Sequence, residues 1–288
     1  MRAGYLGPAG TFSHEALMAA GSGDELVPLP TLHETVLAVH AGTVDRALVP
    51  IENALEGSVN PTLDALAFAT DDVEIVGELR HPVHHCLVGR EPVALEEVRT
   101  VVSHPQATAQ CAGFLREALP QARVVAAAST AEAVRQVAEG LQPAVALGTA
   151  LAARLYGAVV LREHVEDDPA NETRFVWVAR RGAAPHGGAA PLGLVATPGL
   201  VTRWKTALVF WGAGSASPGW LVRCLGEFAA RDVNLVRIES RPLRQRLGEY
   251  MFFLDLEGSA ADPAVAGAVE GLRAHADVVR VLGSFPAA

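Results

Sequence analysis

WKTALVFWG (204–212), PGWLVRCLGEFAAR (218–231), VNLVRIESR (233–241) and EYMFFLDLE (249–257) follow one another in the C-terminal third of this 288-residue chain. The first, third and fourth are strand-length runs of branched and aromatic residues, while the second carries its apolar residues at helical spacing. DPAVAGAVEGLRAH (262–275) then reads as a helix opened by Asp and Pro, and DVVRVLG (277–283) as a last strand. This βαββαβ order is that of a ferredoxin-like unit, so residues 204–288 are expected to form one small domain.

Immediately upstream, residues 182–203 are rich in Gly, Ala and Pro and almost uncharged, the composition of a linker. Residues 1–181 alternate short β-like runs with Ala- and Leu-rich stretches. RAGYL (2–6), RALVP (46–50), EIVGEL (74–79), HCLVG (85–89) and AVALG (144–148) are typical of the first kind; 31–41, 60–69, 106–118 and 130–139 are the second. Such alternation predicts an α/β fold with largely parallel sheets. TRFVWVAR (173–180) adds a late strand, and its return to an early sheet would make two lobes around a cleft.

Half of the residues are apolar, enough for a substantial core, and the formal charge of −9 argues against nucleic acid or an acidic membrane surface as a partner. Lys205 is the only lysine. It opens an apolar strand-like run, a setting that suits neither a phosphate-binding loop nor a Schiff base, so ATP-dependent and pyridoxal-phosphate chemistry are disfavoured. The most apolar region, 141–161, is interrupted by Pro143 and Arg154, and MRAGYLGP at the start lacks the apolar core of an export signal; the cytoplasm is the expected location. Cys86, Cys111 and Cys224 are far apart and read as core thiols.

Four strand-to-helix junctions share one design: GPAGTFS (7–13), ENALEGS (52–58), SHPQ (103–106) and STAE (129–132). Helix N-termini present free N–H groups and the positive end of a dipole, and in an open α/β sheet such junctions gather where ligands bind. Two readings stand at this point, simple capping at each junction or a shared carboxylate-binding cleft. Ser129 and Glu132 have capping-box spacing. Glu52 and Asn53 follow an apolar run, as a solvated loop or as ligand-binding groups. His84, His85 and Cys86 suggest a metal, but neighbours on a strand face opposite ways, so no metal site is expected there.

Six stretches, GYLGPAGTFS (4–13), VPIENALEGSV (49–59), SHPQATAQC (103–111), NETRF (171–175), NLVRIESRP (234–242) and GEYMFFLDLEG (248–258), resemble the prephenate dehydratase family over nearly the whole chain. The resemblance implies a two-lobed, periplasmic-binding-protein-like catalytic region over 1–181, followed by an ACT regulatory domain over 204–288. It implies decarboxylating dehydration of prephenate to phenylpyruvate, in which aromatisation drives the reaction and no cofactor is needed. The residues matching the family's important positions are Thr173, Glu52, Asn53, Ser103, Gln110, Arg174 and Phe175. Thr173 is expected near the leaving hydroxyl, Asn53, Ser103 and Gln110 as neutral donors to carboxylates, and Phe175 as a water-excluding ring; Thr11, Ser13 and Ser58 are expected to bind substrate.

In the ACT unit the resemblance implies an effector site for L-phenylalanine built from Gly219, Trp220, Leu221, Val222, Asn234, Glu239, Ser240 and Arg241, formed between paired domains of a homodimer or homotetramer. The chain departs from the family's pattern twice. Arg135 stands where a glutamate is common, which leaves Glu132 as the nearby carboxylate, and Trp220 stands where alanine is usual, which puts phenylalanine regulation in question. Two alternatives remain, an arogenate dehydratase and a non-catalytic amino-acid-binding regulator.

Overall fold

The structure is a computed structural model and describes residues 1–140, 144–182, 203–212, 214 and 217–288. The chain runs through β1 (Arg2–Leu6), α1 (Phe12–Ala19), β2 (Glu25–Leu29), α2 (Leu32–His40), β3 (Arg46–Asn53), β4 (Gly57–Ser58), α3 (Asn60–Asp64), a π-helical turn at Ala65–Ala69, and β5 (Val73–Pro82). It then crosses to a second body: β6 (Cys86–Gly89), β7 (Thr100–Ser103), α4 (Pro105–Gln110), α5 (Ala112–Ala118), β8 (Arg123–Ala126), α6 (Thr130–Ala138), β9 (Ala144–Gly148), α7 (Ala150–Tyr156) and β10 (Val159–Arg162). β11 (Glu172–Arg180) crosses back. The C-terminal elements are β12 (Trp204–Trp211), α8 (Trp220–Ala229), β13 (Leu235–Pro242), β14 (Tyr250–Glu257), α9 (Pro263–Arg273) and β15 (Val278–Pro286).

Among the described residues the strands form three sheets, ordered β2-β1-β3-β11-β5 with β4 on β3, β10-β6-β9-β7-β8, and β13-β14-β12-β15. The late strand does return to the first sheet, so the first two sheets are two lobes joined by two crossings, at 83–85 and 163–171. The sheets are less parallel than expected. β1 runs parallel to β2 and β3, and β7 to β8 and β9, but β11 is antiparallel to β3 and β5, and β6 to β9 and β10. The strands next to the crossings arrive from the other lobe, and so run against the βαβ direction.

Local chemistry explains most element ends. Thr11, Thr31, Ser129 and Thr149 each accept a backbone N–H three residues on, capping α1, α2, α6 and α7, and Gly157 ends α7 in a left-handed conformation. The expected single helix over 106–118 is broken at Cys111. The Asp167 carboxylate accepts the amides of Gly113 and Phe114, capping a new start at α5 from across the lobe.

β11 lies inside the first sheet, between β3 and β5, with side chains buried on both faces. Phe175 and Trp177 pack with Tyr5, Leu17 and Leu48 on the face toward α1. Val176 and Val178 point the other way, into a core shared with Val209, Phe253, Leu282 and Phe285 of the C-terminal sheet. The opposite face of that sheet carries α8 and α9 over Leu208, Phe210, Leu254 and Leu256. Of the expected linker 182–203, residues 183–202 lie outside the described residues. Among the described residues no helix is long and apolar enough to cross a membrane. The three cysteines are free and buried; burial pushes Cys86 and Cys224 up to about 11 and Cys111 up to about 12.

Candidate active site

A cleft of about 310 Å³ opens between the lobes, at the low end of the range for small-molecule sites. It is lined by the starts of α1 (Thr11, Phe12, Ser13), α4 (His104, Gln106, Ala107) and α6 (Ser129, Thr130), and by Asn53, His85, Gln110, Thr173 and Phe175. All four junctions therefore contribute to the lining, from both lobes, the one at 52–58 through Asn53 and the other three through helix starts. No Lys, Arg, Asp or Glu is among the described lining residues, so attraction for an anion rests on helix ends and neutral donors. The inter-lobe contact beside it is close. Thr149 donates to the Gly10 carbonyl at 2.8 Å and Tyr156 to that of Ala9 at 2.7 Å, and a Cβ on Gly10 (φ +91°) would sit 2.9 Å from Ala152.

Hydrogen bonds fix the orientation of the Asn53, Asn171 and Gln110 amides. The Asn53 carbonyl oxygen accepts the backbone N–H groups of Leu55 and Glu56, both at 3.0 Å, so the Asn53 NH₂ must point inward. There it donates to Thr173 Oγ1 at 3.0 Å and to Asn171 Oδ1 at 2.9 Å. The Asn171 NH₂ in turn donates to Gln110 Oε1 at 3.3 Å, and His85 Nε2–H donates to the same oxygen at 2.9 Å. Two consequences follow. The Thr173 hydroxyl has an acceptor lone pair occupied and its proton left to give, and the Gln110 NH₂ is turned outward, 3.4 Å from Glu56 Oε1. Burial lowers the His85 pKa more than its Gln110 bond and Glu166 raise it, so the ring is neutral, with Nδ1 left without a partner.

The structure brings Thr173, Phe175, Asn53, Gln110, Thr11 and Ser13 to the cleft, and does not bring the other four expected residues there. Glu52 and Arg174 alternate with Asn53 and Thr173 along their strands and so face the C-terminal sheet. Arg174 pairs with Glu52 at 3.1 Å, Glu78 at 3.2 Å and Asp255; Lys205 reaches Glu78 at 2.8 Å. Ser58 donates to Glu239 at 2.7 Å and accepts from Arg237 at 2.7 Å, again behind the first sheet. Ser103 is fully buried and donates to the Leu147 carbonyl at 2.9 Å, tying β7 to the end of β9. Glu132, held by Arg135 and Gln136, also lies away from the cleft, and Arg135 bridges Glu132 and Glu139 on the outside of α6.

The expected effector residues are not gathered by one chain. Gly219 starts α8 with φ +76°, and Val222 is exposed beside it, with Leu221 against the α8–α9 core. Trp220 is buried beneath that helix, packed on Phe210 and Phe252 and donating to the His275 carbonyl, so its ring fills the interior of the unit. Glu239 and Arg241 lie on the other face of their sheet, bonded to Ser58 and Asp64 of the first lobe. Ser240 and Asn234 are exposed, the latter donating to Glu257.

Sequence reasoning missed His85 and Asn171. Asn171 stood in the NETRF stretch, and the alternation that argued against joint ligation by His84 and His85 also sends one of them inward. His84 turns outward and meets His164 and Glu166.

The prephenate dehydratase family model matches residues 3–183. A prephenate dehydratase of Mycolicibacterium vanbaalenii is 40% identical, over 98% of this chain and 90% of its own. A chloroplastic arogenate dehydratase/prephenate dehydratase of Arabidopsis thaliana is 36% identical over 99% of this chain and 73% of its own. The solved structure of an Arthrobacter aurescens prephenate dehydratase in complex with L-Phe superposes with a TM-score of 0.85 at 37% identity, covering 99% of this chain and 90% of that one. Another solved structure, described as a novel type of quorum-quenching acylase, gives 0.84 at 33% identity over 100% and 98%. On a family match across both lobes and 40% identity over nearly its full length, the chain belongs to the prephenate dehydratase family.

Proposed function

We propose that the inter-lobe cleft converts prephenate to phenylpyruvate, water and CO₂, and that residues 1–181 form the catalytic region and 204–288 a phenylalanine sensor. The observation that carries the reading is the Asn53–Thr173 hydrogen bond, which leaves the Thr173 proton free to be donated. Prephenate carries two carboxylates, and the starts of α1, α4 and α6 suit them. As the ring carboxylate departs, the electrons of the broken C–C bond enter the ring and expel the hydroxyl on its far side, whose oxygen takes up a proton as water leaves. A threonine hydroxyl is too weak an acid to supply that proton alone; Thr173 donates a hydrogen bond to the leaving oxygen and relays a solvent proton. Phe175 and Phe12 keep the site apolar, which favours loss of the carboxylate charge as neutral CO₂. Arg174 and Glu52 act behind the strand, as the joint between catalytic region and sensor.

No Asp or Glu lines the cleft among the described residues, and the Glu56 carboxylate beside Gln110 already accepts from its NH₂, which favours the keto acid over arogenate, whose ammonium group needs an anionic acceptor. Val236 and Ile238 are exposed on the edge strand β13, and Val222 is exposed on α8. A second copy laid there supports an even-numbered oligomer and completes the effector site that one chain leaves divided. The acidic charge and the biosynthetic reaction fit a cytoplasmic protein.

Purified protein given prephenate is expected to form phenylpyruvate, faster than it acts on arogenate, with phenylalanine suppressing turnover. Thr173→Val is expected to lower kcat by roughly 10²–10⁴-fold with KM little changed. Unchanged turnover in that variant removes Thr173 from the mechanism, and no product from folded wild type, on either substrate, leaves a non-catalytic regulator.

A further inference from the structure

Away from the cleft, the two crossings between the lobes meet at three side chains of metal-binding type. Glu166 is almost wholly buried, and His85 donates its backbone N–H to Glu166 Oε2 at 2.8 Å. That bond turns Oε1 outward, where His84 Nδ1 lies at 2.8 Å and His164 Nδ1 at 3.4 Å. The imidazoles meet edge to face with centroids 4.4 Å apart, and His164 holds a left-handed backbone (φ +53°) where its ring makes that contact. One donor atom from each side chain can be chosen so that all three lie within 4.8 Å of one another.

We infer that His84, His164 and Glu166 form a binding site for a first-row divalent cation, of which zinc is the natural probe. Donors around a tetrahedral zinc at about 2.0–2.2 Å stand roughly 3.3–3.5 Å apart, so the trio closes in by about 1 Å to hold the ion. Two imidazoles and a carboxylate suit zinc, nickel or copper better than magnesium or calcium, which prefer all-oxygen sets. The crossing that carries His164 and Glu166 is acidic in sequence, with Glu163, Asp167 and Asp168 against Arg162 alone. His84 is 40% and His164 62% exposed, which gives the ion an entry path and leaves a fourth position to water. The bond from His85 to Glu166 is the outer support such a site requires, and it links the ion to a residue that lines the cleft. Because the ligands come from both crossings, the cation staples the hinge.

The test is calorimetric titration of the full chain with zinc, with magnesium as control and with His164→Asn and His84→Gln alongside. Asparagine tolerates a left-handed backbone, and both altered side chains are partly exposed, so a thermal melt shows that each variant is folded. The expected result is one zinc per chain, no magnesium binding under the same conditions, and at least a tenfold weaker zinc affinity in each variant. A wild type that binds no zinc, or folded variants that bind it as tightly as wild type, overturns the site.

Discussion

Replacing Arg174 with methionine tests how the catalytic strand is joined to the C-terminal sheet. Three cations, Arg174, Lys205 and Arg237, face three carboxylates, Glu52, Glu78 and Asp255, and the side chains other than Glu52 are almost wholly or largely buried. Arg174→Met leaves the cluster one negative charge in excess. Lys205 still holds Glu78 at 2.8 Å and Arg237 still faces Glu52 at 3.8 Å. Asp255, opposite Arg237 in the ladder, makes no second ion pair among the described residues, and its side chain is only 4% exposed. Removing one partner of a buried pair costs about 3–5 kcal/mol, chiefly through the charge left behind. Urea unfolding at pH 7, followed by circular dichroism, is expected to show a loss of that size. The double variant Arg174→Met/Asp255→Leu is expected to recover more than half of it, because the stranded carboxylate is gone. A single variant within about 1 kcal/mol of wild type would put the guanidinium in the class of solvated surface pairs and refute the reasoning.

Gly283→Ala is expected to cost about 1–3 kcal/mol or more in the same assay, since its Cβ would lie 2.1 Å from the Ile75 carbonyl oxygen, where β15 abuts β5. Trp220→Ala is expected to lose about 3–5 kcal/mol as a buried ring is deleted; a loss under about 1 kcal/mol would return the ring to an effector-pocket role. Burial alone would raise the Glu78 pKa, but hydrogen bonds from Lys205 and the Ala288 amide, with the Lys205 and Arg174 charges, hold it below its ordinary value. A depressed carboxylate stabilises the fold fully above its unfolded pKa, near about 4.3, and ceases to do so as pH falls through the lower folded value. Stability is therefore expected to fall on acidification below about pH 4, and Glu78→Gln, measured over the same range, to be less stable at pH 7 with a flatter acid slope.

Much of the fold was legible because it rests on local pattern. The βαββαβ order came from run lengths and spacing alone, and each of its strands and helices stands within a few residues of where pattern put it. Longer-range partners were not legible. Nothing near Cys111 announces that Asp167 will cap a new helix start, and nothing near Ser103 that its hydroxyl will serve the Leu147 carbonyl. The candidate site was legible at the level of motifs and blurred at the level of faces. TRF and EN match the family as blocks, but strand alternation divides each, sending Thr173, Phe175 and Asn53 to the cleft and Arg174 and Glu52 behind it. The docking of the two regions also had a signal that was not used. TALVFW (206–211) and MFFLDL (251–256) are apolar without alternation, the mark of strands covered on both faces, yet two helices can cover only one. Asp255 in the second run sharpens the point, because a carboxylate inside such a strand needs a cation brought to it from the covering surface. The first sheet supplies that cation as Arg174, the residue between Thr173 and Phe175, so the strand that lines the cleft is also the one that anchors the C-terminal sheet.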